Sequence, residues 1–72
     1  MITRKDAVQR ALLHGVTMEQ IEAETTLQRR HVGTVPFNNM IKALNVVFGY
    51  LNTGDDWKRL AAALIAKGES RK

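Results

Sequence analysis

Apolar residues recur at spacings of three and four along nearly the whole chain. No segment alternates residue by residue with β-branched enrichment, so the pattern predicts an all-α fold, a compact bundle of about five short helices. The first is expected from about Thr3 to His14. Ala7, Val8, Ala11 and Leu12 form its apolar stripe, Thr3 is its N-cap and Gly15 follows its end. A second starts at Thr17, where Thr17-Met18-Glu19-Gln20 matches a capping box, with Met18 and Ile21 facing inward and Thr25 near its end. A third, short helix is expected to begin near Leu27 or Gln28 and to stop by Thr34, because Pro36 disfavours α geometry at Val35. Pro36 then suits the opening of a fourth. Its stripe of Phe37, Met40, Ile41, Leu44, Val47, Phe48 and Leu51 is the longest in the chain and the expected core. It runs either unbroken to Leu51 or in two pieces divided near Asn45. After a turn at Asn52-Thr53-Gly54, Asp55 and Asp56 are expected to cap a helix over 55–67 that carries Trp57, Leu60, Ala61, Leu64 and Ile65 and ends at Gly68. One domain over 1–68 and a basic tail over 69–72 complete this layout. A hairpin turning at Asn52-Thr53-Gly54, as in a winged helix, is the lesser alternative.

The most specific stretch is residues 17–34, read as a helix-turn-helix made of the second and third helices. In that motif the second helix of the pair enters the DNA major groove. With Leu27 anchoring the turn and Val32 buried, the outward side chains are Gln28, Arg29, Arg30 and Thr34, the candidate base contacts. Arginine can bond guanine as a fork and glutamine can bond adenine. Thr17, His31, Arg4 and Lys5 are candidate phosphate contacts. The plainer readings are a solvated Arg-Arg pair and a partly buried His31. Trp57, Leu60 and Leu64 are candidates for a dimer seam, with intramolecular core as the equal alternative. Glu19, Glu22 and Glu24 count against close approach of the second helix to a phosphate backbone.

Charge changes this picture in one respect. Eleven Lys and Arg against seven Asp and Glu give +4, and no acidic residue lies between Glu24 and Asp55, a window that holds Arg29, Arg30 and Lys42. An anionic partner is favoured. With no cysteine and only two histidines, neither a thiolate metal site nor a disulfide is expected, and no cofactor is implied. No apolar run reaches the roughly 20 residues of a membrane span, and the charged start MITRKDAVQR does not read as a signal peptide. A cytoplasmic, non-membrane protein is expected. There is no nucleophile-base set, paired carboxylate cleft or phosphate loop, so an enzyme is not expected.

LLHGVTMEQIEAETTLQRRHV resembles the helix-turn-helix of the Cro/repressor class, the lambda-repressor-like DNA-binding domains. PFNNMIKALNVVFGYLNTGDD is similar to the second half of that domain, and DDWKRLAAALIAKG weakly resembles the C-terminal helices of some small phage regulators. The resemblance implies a five-helix fold, homodimeric operator binding on double-stranded DNA and a role in transcription, with Gln28, Arg29, Arg30 and Thr34 in the groove and Val32 as core anchor. Three positions depart from the family pattern. Its small residue is Glu22 here, its turn glycine is Thr26, and its loop before Pro36 is nearly absent. The alternative is a small helical inhibitor or adaptor, such as a phage encodes, that uses the same scaffold to bind a protein partner without DNA.

Overall fold

Each α-helix begins on a threonine. The computed structural model describes residues 2–69 and places α1 at Arg4–Leu13, α2 at Met18–Arg29, α3 at Val35–Val46 and α4 at Gly54–Glu69, with a 3-10 turn at Phe48–Tyr50. The hydroxyls of Thr3, Thr17, Thr34 and Thr53 accept the N–H groups of Asp6 (3.2 Å), Gln20 (3.1 Å), Phe37 (3.2 Å) and Asp56 (3.2 Å). Each satisfies one of the donors that a helix start leaves without an intrahelical partner. At Thr17 the box is reciprocal, since the Gln20 Oε1 accepts the Thr17 N–H at 3.0 Å. Thr17→Ala should cost about 1 kcal/mol and lower Tm by roughly 4–8 °C. Thermal circular dichroism reads this directly, and an unchanged Tm contradicts it.

The sequence assigns the cap of the last helix to Asp55 and Asp56, but Thr53 holds it. The Thr53 hydroxyl also donates to the Asp56 carboxylate at 2.8 Å. Asp55 sits in the first turn and pairs with Lys58 at 3.0 Å, which together with the charge of Arg59 holds its carboxyl below the ordinary value. The helix also passes Gly68 and includes Glu69, so it exceeds the expected 55–67. Positions 70–72 of the expected tail lie outside the described residues.

Among the described residues there are four α-helices and no strand, which corrects the count of five and removes the hairpin alternative. The difference lies in α2. A turn was expected near Thr25 and Thr26, yet α2 runs unbroken through both to Arg29. The two hydroxyls bond backward to the carbonyls of Ile21 (2.7 Å) and Glu22 (3.1 Å), so the threonines are satisfied inside a helix and do not compete with it. No glycine or proline interrupts 18–29. The break comes at 30–34, where Gly33 takes φ +89°. Gly15, after α1, has the same φ, as expected of a residue just past a helix end.

The core gathers around α4, not α3. Trp57, Leu60, Ala61, Ala62, Ala63 and Ala66 are all buried there. α1 and α2 both pack along it, and α3 touches it more lightly. Ile2, Ala7, Ala11, Ile21, Trp57, Leu60 and Ala61 form the main cluster. Phe37, Ile41 and Ala63 form a second, with Val32, Met40 and Leu64 against it. The α3 stripe therefore supplies only part of the core. It breaks after Val46, one residue beyond Asn45, and Val47 is exposed. Leu12, Met18 and Leu27, expected to face inward, are also exposed.

Candidate nucleic-acid interface

Continuing α2 through Arg29 changes what residues 28–34 can do. Gln28 falls on the inward face with Ile21 and Thr25, is 9% exposed, and directs Nε2 toward the Glu24 carboxylate at 3.5 Å. Arg29 is exposed and lies toward the end of α4, bordering a hollow with Ile65 and Glu69. Its Nε and Nη2 donate to the two carboxylate oxygens of Glu69 at 2.7 and 2.9 Å, a fork that ties α2 to the last turn of α4. That hydrogen bonding raises the guanidinium pKa above its ordinary value, so the group remains charged throughout the working pH range.

Thr34 is occupied as the α3 cap. Its hydroxyl accepts from Phe37 N–H and donates to the His31 carbonyl at 2.7 Å. Gln28, Arg29 and Thr34 are thus engaged within the fold, which corrects their expected placement on an outward helix over 27–34. The free surface expected of that helix does not form, because the segment is split between the end of α2 and a turn. Arg30, the last cap residue of α2, is exposed, and so is His31 in the turn.

The candidate phosphate contacts divide similarly. Thr17 has its hydroxyl in the capping box. Arg4 and Lys5 are exposed at the start of α1 and border a shallow hollow with Val8, Gln9 and Ile65. A Cβ on Gly68 would lie 3.3 Å from Arg4 Nη1, so Arg4 reaches the last turn of α4, as Arg29 does. Two cations at the negative end of a helix dipole are favourably placed for the fold. Of the expected seam residues, Trp57 and Leu60 are buried inside the chain and Leu64 is half-buried between the two core clusters. Trp57 and Leu60 cannot meet a second copy without unfolding, so the seam expected there is corrected.

The surface that stands open instead belongs to α3. Asn38, Asn39 and Lys42 are exposed on it, and Arg30 and His31 are exposed where the chain leaves α2. The three α3 side chains are legible in the sequence as the complement of the stripe Phe37, Met40, Ile41 and Leu44. No acidic residue stands on α3, on the turn before it or on the 3-10 turn after it. Beside it, Asn38, Ile41, Lys42, Asn45, Val46 and Lys67 line an open groove of about 430 Å³ between α3 and the end of α4. Asn45 is 8% exposed, donates from Nδ2 to the Ile41 carbonyl at 3.1 Å, and leaves Oδ1 with no hydrogen-bond partner.

No family model, curated protein or solved structure matches this chain. Among the described residues no helix is long and apolar enough to cross a membrane, and no three His, Asp or Glu side chains gather as a metal site would need.

Proposed function

We propose that the chain is a small double-stranded-DNA-binding regulator of transcription that offers α3, rather than residues 27–34, to the major groove. The observation that carries this reading is the exposed set Asn38, Asn39 and Lys42 on a helix with no acidic neighbour in sequence from Thr25 to Gly54. Asparagine pairs bidentately with adenine, and lysine serves guanine or a phosphate. Arg30 and His31 stand where the chain enters α3 and suit the flanking phosphates. The net charge of +4 supports approach to a polyanion. The resemblance to Cro/repressor domains supports the same class of partner, with the contact surface moved one element along the chain.

Fluorescence anisotropy of a labelled random-sequence duplex tests this reading. Binding is expected at about 50 mM salt, and affinity should fall roughly a hundredfold by about 200 mM if three or four phosphates are neutralised. Lys42→Ala combined with Asn39→Ala should weaken binding at least about tenfold, while Arg29→Ala, whose fork belongs to Glu69, should change it little. Absence of measurable binding at low salt overturns the proposal. It would leave the second reading, a protein-binding adaptor, which the exposed Val46 and Tyr50 support.

A further inference from the structure

Asn38, Ile41, Lys42 and Asn45 stand at i, i+3, i+4 and i+7, so they share one side of α3. That side lines the open groove of about 430 Å³, and Lys67 borders it from the last turn of α4. A stripe at this spacing is ordinarily apolar and packs into the core. Here three of its four members are amides or a lysine, and the groove stays open. Among the described residues its lining carries two ammonium groups, on Lys42 and Lys67, and no carboxylate. Glu69, also at the end of α4, binds Arg29 and lines the hollow beside α2 instead. Asp55 and Asp56 lie at the opposite end of α4. The Asn45 amide adds a second signal. Its Nδ2 donates to the Ile41 carbonyl, which fixes the orientation of the amide, and the enclosed Oδ1 has no partner among the described residues. The wall of the groove thus holds an acceptor that the fold does not satisfy.

We infer that this groove is a binding site for one adenine nucleotide, a phosphate monoester joined to a base that offers N–H donors. Two ammonium groups carried by two different helices, with no acid in the lining, suit a dianionic phosphate, which lysine binds as a point charge. A simple anion would use only that part of the groove. Ile41 and Val46 offer apolar contact for the flat face of a base, and the exposed amide of Asn38 can donate to adenine and accept from it as a pair. The exocyclic amine of adenine also supplies the kind of donor that Asn45 Oδ1 lacks. The stripe from Asn38 to Asn45 covers about 10 Å of helix, room for one nucleotide but not for a run of them. The groove volume lies at the small end of the range of about 300–1,000 Å³ that ligand sites occupy. Asn39 and Lys42 border the same groove, and they are the side chains assigned above to duplex DNA. A bound nucleotide therefore competes with the duplex, and this consequence alone rests on the DNA reading.

Isothermal titration calorimetry of the full chain without DNA tests the site, with adenosine monophosphate, adenosine and inorganic phosphate as separate probes at one ionic strength. Adenosine monophosphate should bind one to one with a dissociation constant of about 1 mM or tighter. Each of the other two should bind at least about tenfold more weakly, because neither joins the two halves of the site. Lys42→Ala, at an exposed position, and Lys67→Ala should each weaken nucleotide binding at least about fivefold, with an unchanged circular dichroism spectrum. Lys5→Ala removes the same charge from α1 and should leave it unchanged. Phosphate or adenosine binding as tightly as the nucleotide overturns the inference. So does a nucleotide that fails to bind at millimolar concentration, or that binds the Lys42 and Lys67 variants as well as the wild type. The outcome is separable from the DNA reading. A chain that binds nucleotide but no duplex retains the site and removes the DNA function, and one that binds duplex but no nucleotide does the reverse. Where both bind, nucleotide at about ten times its dissociation constant should raise that of the duplex about tenfold. An unchanged duplex affinity overturns the shared use of Asn39 and Lys42.

Discussion

Trp57→Ala is expected to leave the chain mostly unfolded at 25 °C. Trp57 is the largest fully enclosed side chain, and it joins three parts of the structure at once. Its Nε1 donates to the Leu51 carbonyl at 3.2 Å, which closes the loop from the 3-10 turn into α4. Its ring stacks on His14 of the α1–α2 connection, with centroids 6.2 Å apart, and the Arg10 guanidinium lies 5.2 Å from the ring centroid. Truncating a buried tryptophan costs about 3–5 kcal/mol, and a domain this small has only about 3–5 kcal/mol in total. The substitution removes packing and leaves the Leu51 carbonyl without its donor. Far-UV circular dichroism at 25 °C and a thermal scan read the result. A cooperative transition with a Tm near that of the wild type would mean that Trp57 is peripheral, as a seam residue would be.

Ala61→Leu should be the next most damaging change, although it adds apolar surface. Ala61, Ala62 and Ala63 are consecutive and all fully buried. Successive residues of a helix point about 100° apart, so three buried in a row mean that α4 is enclosed on most sides. Alanine permits this because neighbouring backbones can come close. Ala61 faces the cluster with Ala7, Ala11 and Ile21, and Ala63 faces Phe37 and Ile41 on α3. Three more carbons at Ala61 have no space without shifting α1 or α2, at a cost of about 1–3 kcal/mol. Each kcal/mol lowers Tm by roughly 4–8 °C in a domain of this size. Ala23→Leu on the exposed side of α2 is the matched control and should leave Tm within a few degrees. Equal effects at the two positions would contradict the enclosure of α4.

The same alanines explain what the sequence could and could not disclose. Helix starts were legible because a threonine with a suitable residue three positions on is a local signal. Thr3, Thr17 and the proline after Thr34 each marked a boundary that the structure has. The centre of the fold was not legible, because an alanine fits a core and a surface equally. The long stripe from Phe37 to Leu51 looked more apolar than α4 and drew the expected core toward α3. The turn expected at Thr25 and Thr26 was likewise misplaced, since α2 runs on to Arg29. Thr26 stands where the motif has its turn glycine, but the hydroxyls of Thr25 and Thr26 are held by carbonyls one turn back, which the sequence alone does not disclose. Gln28 then took an inward position that a polar residue rarely fills, and the candidate base contacts after it were redistributed. The acid-free window takes in the turn after α2 and all of α3, and it is exposed at Arg30, His31, Asn38, Asn39 and Lys42.

The light attachment of α3 has an energetic consequence. α1 and α2 are both anchored along α4, whereas α3 meets the rest through the second core cluster, through Leu44 at the edge of the main cluster and through its own following turn. Its opening removes Phe37 and Ile41 from the second cluster and Leu44 from the edge of the Trp57 cluster, whose buried members all lie outside α3. Such an opening is a sub-global equilibrium of lower free energy than unfolding of the whole. The element that carries Asn38, Asn39 and Lys42 is thus the helix with the least contact to α4. The backbone amides of α3 should therefore exchange with solvent sooner than those of α1, α2 and α4, an order that hydrogen exchange reads directly.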